Sequence, residues 1–159
     1  MSSGPQIYSK RFVVPPEAID LQGHVNNLAY VGWMQDVAIE HSSAAGWPMA
    51  RYLELGAGWV VRSHFIEYLR PAFLGEPISV HTWVPRFDQR STPRKYLFLR
   101  ENDRQILAQA ETQWVFVDLA SGRRRPLPQE LLDAFGIVAD DAEVKRMLGL
   151  TGPTQGAAP

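Results

Sequence analysis

The chain contains no cysteine. That excludes disulfides, a thiolate nucleophile and any cysteine-ligated zinc or iron–sulfur centre, and it fits a reducing compartment. No apolar run approaches the roughly 20 residues of a membrane-spanning helix. The opening segment, Met1 to Phe12, has no apolar stretch of the kind a secretory signal carries. A cytoplasmic protein without membrane insertion is expected. Neither charge sign is in excess: 16 Lys and Arg stand against 17 Asp and Glu, whereas a general nucleic-acid binder would be clearly basic. There is no G-x-S-x-G elbow, no Walker A loop and no G-x-G-x-x-G fingerprint; Gly56-Ala57-Gly58 lacks the third glycine and precedes a strand. His24, His41, His64 and His81 are too widely spaced for a compact His–His metal pair. No metal and no cofactor are expected.

What is present is one domain's worth of chain, 159 residues of which 45% are hydrophobic. Residues 1–150 are read as that domain. Residues 151–159, rich in Gly, Ala, Pro and Thr with nothing to bury, are read as a disordered tail. Charge is unevenly spread, at −2 over residues 1–61, +4 over 62–125 and −3 over 126–159. A local basic region suits a small polyanion better than a polymer; the plain alternative is a solvated strand face.

The periodicity predicts a strand over Ile7–Val14, stopped by Pro15-Pro16. Leu28–Ala45 reads as a helix, because Tyr30, Met34, Val37, His41 and Ala44 recur at three- and four-residue steps. Asn26 or Asn27 can cap its start, and Gly46 with Pro48 marks its stop. On that stripe His41 reads as a satisfied core or interface histidine. His64 and His81 read as ordinary strand side chains. A short helix follows over Met49–Leu55. After Gly58 the period becomes two. Trp59, Val61, Ser63, Phe65 and Leu69 share one face of a long strand, and Ile78, Val80, Thr82 and Val84 line a second. Tyr96 and Phe98 oppose Leu97 and Leu99 on a third, and Ile106, Ala108, Ala110, Thr112, Trp114 and Phe116 line a fourth. Pro128–Phe135 is a last short helix. One strand, one long helix and a meander of four strands make an α+β pattern, solved by a curved antiparallel sheet wrapped around the helix.

Chemistry concentrates in Asp20-Leu21-Gln22-Gly23-His24-Val25-Asn26-Asn27, where a carboxylate, an imidazole and three amides stand before and at the start of a helix. The leading N–H groups of a helix have no intrahelical partner and carry partial positive charge, so the start near Asn27 can hold an oxyanion. Asp20 beside it can serve as base or nucleophile. The competing explanation is an Asx-type turn and an N-cap. His24 could orient the carboxylate, hold a water, protonate a leaving group or hydrogen-bond the loop backbone. Asp36 and Glu40, four apart on the helix, are the rival carboxylates. Arg90, Arg94 and Lys95, and then Arg123 to Arg125, are the candidate cations for phosphates.

Asp20-x-x-Gly23, the His24-Val25-Asn26-Asn27 step, Tyr30 and Trp33 resemble the signature of hotdog-fold acyl thioesterases, closest to the 4-hydroxybenzoyl-CoA thioesterase-like group. Asp20 to Asn27 also resembles a stretch of acyl-ACP thioesterases, although Gln22 replaces their asparagine and those enzymes join two repeats. The Gly122-Arg123-x-Arg125-Pro126-x-Pro128 run is similar to the family's last turn. The resemblance, over roughly residues 7 to 135, implies a hotdog fold and a homodimer or tetramer. It implies metal-free hydrolysis of an acyl-CoA or acyl-ACP thioester, with Asp20 as the catalytic carboxylate, His24 and Asn27 beside it, and Gly23 and Tyr30 toward the substrate; from the local charge, Arg90, Arg94 and Lys95 are the cations expected to bind the phosphates of such a substrate. A non-catalytic acyl-thioester-binding protein is the rival from another class.

Overall fold

A computed structural model describes residues 5–150; residues 1–4 and the stretch read as a tail, 151–159, lie outside the described residues. Strand β1 (Ile7–Val13) is followed by a short 3₁₀ turn (Pro16–Ala18) and helix α1 (Asn27–Ala44). Helix α2 (Met49–Leu55) and strands β2 (Ala57–Tyr68), β3 (Pro77–Trp83), β4 (Ser91–Arg100) and β5 (Ile106–Asp118) come next. Helices α3 (Gln129–Ala134) and α4 (Asp141–Met147) finish the chain. The five strands form one antiparallel sheet in the order β1-β3-β4-β5-β2.

The long helix packs on that sheet as the stripe predicts as far as His41; Ala44, expected on the stripe, is exposed, and Ala38 and Ala45 are buried instead. Tyr30, Met34 and Val37 are buried against Val80, Tyr96, Phe98, Leu107, Ala108 and Ala110. Each fully buried side chain of this size contributes about 1.5–3 kcal/mol, and the two alanines let the helix approach closely. A second cluster at the far end of α1 joins Trp47 and Tyr52 to Phe116, Leu131 and Phe135.

Two bulges revise the face assignments. In β2 the register shifts between Val61 and Ser63, so Arg62 is an extra residue and the alternation inverts beyond it. Phe65, expected on the face of Trp59, is 64% exposed, while Ile66 packs on the inner core. A second shift sets Phe98 opposite Ala108 but Leu99 opposite Ile106. Ile106 therefore joins the outer face and not the face of Ala108.

That outer face is covered by an element absent from the sequence reading. Val144 of α4, with Val138 and Leu150, buries Leu97, Leu99 and Trp83. A parallel bridge between Val84 and Ile137 leads the chain there. No helix among the described residues is long and apolar enough to cross a membrane.

Candidate active site

The segment before α1 is a closed loop. Ile19 and Val25 form a bridge, the Asp20 N–H donates to the His24 carbonyl at 2.9 Å, and the Gly23 N–H returns to the Asp20 carbonyl at 3.1 Å. Gly23 has φ of +88°, a left-handed conformation that favours glycine. The Asn26 N–H donates to the Ala18 carbonyl at 2.7 Å and the Val25 N–H to the Ala72 carbonyl at 2.9 Å, which fix the loop against the helix start. Asn26 is the cap: its side-chain oxygen accepts from the Leu28 N–H at 2.9 Å. The N–H of Asn27, the first helical residue, has no acceptor among the described residues.

Asp20 forms the Asx turn that its sequence context allows. Its Oδ1 accepts the Gln22 N–H at 2.9 Å, an Asx turn, and its other oxygen has no partner among the described residues. His24 makes no side-chain bond to Asp20; it is half-buried and sits edge-on to Phe73, ring centres 6.0 Å apart. Tyr30, expected toward substrate, lies in the core. It is 3% exposed, edge-to-face with Phe98 and Tyr68, and burial pushes its phenol up to about 12. It supports the site through packing, and the Tyr68 hydroxyl donates to the Asn27 carbonyl at 3.2 Å.

The cations separate. Arg94 and Lys95 are adjacent in β4 and point to opposite faces. Lys95 reaches Asp141 of α4 at 2.8 Å on the outer face. Arg94 points inward and is 6% exposed. Arg90, exposed before β4, is instead drawn toward the Arg123–Arg125 turn. The Phe116 N–H donates to the Arg90 carbonyl, and the Arg125 N–H to the Phe116 carbonyl. Of the rival carboxylates, Glu40 is engaged by Lys10 at 2.8 Å and the Tyr8 hydroxyl at 3.0 Å, whereas Asp36 is exposed.

His41 is fully buried. It stands between the Pro5 carbonyl, 2.8 Å from Nε2, and the Arg94 guanidinium, 2.9 Å from Nδ1. Burial first, and then Arg94, push it down to about 4. Beside this pair, between the C-terminal half of α1, α2 and the sheet, lies a cavity of about 330 Å³. Its walls include Trp47, Tyr52, Trp59, Phe87, Phe135 and Arg94. The sequence reading did not find it. The aromatic density from Trp47 to Trp59 was the available signal, but the walls come from segments spread from Gln35 to Phe135.

Residues 14–135 match the thioesterase-like superfamily. The chain belongs to that superfamily. Over 116 residues it is 25% identical to the long-chain acyl-CoA thioesterase FadM of Escherichia coli (strain K12), spanning 71% of this chain and 85% of that one. It superposes with a TM-score of 0.74 on Slr0204, a 1,4-dihydroxy-2-naphthoyl-CoA thioesterase from Synechocystis, at 19% identity, covering 80% of this chain and 94% of that one. The TM-score is 0.75 with SAV2348 from Staphylococcus aureus, solved in complex with CoA, at 17% identity and 83% and 82% coverage. The fold is the α+β hotdog fold, and the superfamily member is a thioester hydrolase.

Proposed function

We propose that this thioesterase hydrolyses acyl-CoA at the start of α1, with Asp20 as the catalytic carboxylate. The observation that carries this reading is the locked loop, which holds a carboxylate with one unengaged oxygen beside a helix start whose leading N–H is unpaired. The thioester carbonyl oxygen accepts the Asn27 N–H, aided by the helix dipole. Asp20 takes a proton from an attacking water or attacks the carbonyl itself. When water attacks, a C–O bond forms, the C–S bond breaks, and the proton held by Asp20 passes through solvent to the departing thiolate; when Asp20 attacks, the thiolate leaves first and water then cleaves the mixed anhydride, releasing the acid and restoring the carboxylate. His24 lines the loop in a supporting role. The long-chain acyl-CoA thioesterase relative supports CoA as the carrier. The working unit is a homodimer joined through β2, where Val60, Phe65 and Tyr68 are exposed on an edge strand. The cysteine-free composition supports a cytoplasmic site of action.

Thiol release across an acyl-CoA panel tests this. Asp20→Asn keeps an oxygen for the Gln22 N–H and removes the base. Its kcat is expected to fall by about 10²-fold or more at unchanged melting temperature, against about 10- to 100-fold for His24→Ala. The Asx turn favours a second reading, binding without turnover. Near wild-type turnover of a folded Asp20→Asn enzyme overturns the catalytic role, and tight acyl-CoA binding with no thiol release supports the second reading.

A further inference from the structure

Among the described residues, Arg94 is a buried cation with no counter-ion. Its Nη1 donates to His41 Nδ1 at 2.9 Å and to Thr82 Oγ1 at 3.1 Å, and both acceptors are neutral. A guanidinium has no acceptor atom, so Nδ1 receives, Nε2–H faces the Pro5 carbonyl, and the imidazole is uncharged. No carboxylate pairs with Arg94 among the described residues, and the ring of Phe135 lies 6.0 Å from its guanidinium carbon. Its remaining guanidinium N–H groups have no hydrogen-bond partner there. A guanidinium keeps its charge inside a protein, and an uncompensated buried charge is destabilising.

Arg94 lines the 330 Å³ cavity, a volume at the lower end of small-molecule sites. Apart from Gln35 and the indole N–H groups of Trp47 and Trp114, which are buried without a partner among the described residues, the other walls are aromatic and aliphatic, and their hydroxyls are already engaged. Ser42 bonds the Tyr52 hydroxyl and the Trp47 carbonyl, and Thr92 bonds the carbonyls of Arg86 and Pro93. The cavity thus offers an incoming molecule an apolar wall and one charged fork. Leu28, Val31, Gln35 and Ile39 share a face of α1 by their three- and four-residue spacing; Leu28 and Ile39 are 76% and 50% exposed, and Gln35 and Ile39 reach the cavity mouth. This face leads from Asn27 toward His41, roughly 20 Å along the axis.

Building on the thioesterase reading, we propose that this cavity receives the far end of a long acyl chain and that Arg94 selects chains ending in a carboxylate. The two carboxylate oxygens fit the guanidinium fork side by side, and the chain's methylenes cover the aromatic wall. The substrate class is the CoA monoester of a long dicarboxylic acid, and Arg94 is its specificity-determining residue.

Two measurements test this. The first compares kcat/KM for octanedioyl-, dodecanedioyl- and hexadecanedioyl-CoA with the matched octanoyl-, dodecanoyl- and palmitoyl-CoA. Wild type is expected to prefer the dicarboxylic ester by at least about tenfold at its best length. Arg94→Met abolishes the preference, and Arg94→Lys, which keeps charge without the fork, retains part of it. The second measures the melting temperature with free dodecanedioate or dodecanoate. Dodecanedioate raises it in wild type and not in Arg94→Met. If Arg94→Met does not fold, Arg94→Lys carries both readouts. Hydrolysis without a dicarboxylate preference, or a preference that survives loss of Arg94, overturns the inference and leaves the thioesterase reading intact. Arg94-dependent stabilisation by dodecanedioate in a protein that cleaves none of the esters overturns the acyl-CoA reading and leaves the cavity assignment standing.

Discussion

At the residue scale, short-range chemistry was legible and burial was not. The Asp20 turn, the positive φ of Gly23 and the Asn26 cap follow from residue types within eight positions. Arg94 and Lys95 read alike as exposed cations, because a charge gives no sign that its strand face is covered. The two deeply buried histidines have a consequence for pH. His41 and His81 are held down to about 4, chiefly by burial, with Arg94 and Arg104 respectively adding repulsion. Unfolded, each titrates near 6.5. Between those values the unfolded chain binds protons the folded one does not, so stability falls as pH drops through about 6.5 to 4 and is level above it. Each contributes up to about 3 kcal/mol to that loss. Thermal melts at about pH 7.5 and pH 5 should show the lower midpoint in acid, with a smaller difference in His81→Gln, whose amide can still serve Ser9 and Ser79. Equal midpoints at both pH values would contradict buried neutral imidazoles.

At the element scale, α1 and the longer strands were legible because their periods run over long windows, and the seven-residue β1 and α2 because Pro15-Pro16, Pro48 and Gly56 bracket them. The two bulges were not, since Arg62 and Leu107 interrupt no pattern of residue types. Helix α4 was missed for another reason. Asp141, Glu143, Lys145 and Arg146 make it read as solvated, and only Val144, 1% exposed, enters a core. Yet the alternation in β4 placed Leu97 and Leu99 on the face away from α1, and an apolar outer face requires a cover. Val144→Asp puts a carboxylate into that cover. It should cost about 3 kcal/mol or more in urea unfolding, whereas Met147→Asp, at a half-exposed position of the same helix, should change stability by less than about 0.5 kcal/mol. Equal effects would show that α4 contributes no core.

At the scale of the whole molecule, the two sheet edges differ. Strand β1 carries Lys10 and Arg11 and is followed by Pro15-Pro16, devices that discourage pairing. Strand β2 is twelve residues long and shows Val60, Phe65 and Tyr68 to its surroundings. Light scattering on a sizing column should give twice the chain mass. Val60→Lys with Phe65→Lys should shift it toward monomer and lower thiol release, and a fully active monomer at micromolar concentration would remove the dimer from the mechanism. The strand order has a further consequence, in time. Ile7 pairs with Trp83 and Ala57 with Asp118, so β1, α1 and β2 leave the ribosome with no strand partner yet made. The β3–β4–β5 meander, whose contacts are local, is the segment that can form first. A meander that forms first would be completed backward, when β5 captures β2. The β2 edge can exist only once the chain has been made as far as Asp118, so any pairing through that edge waits for β5.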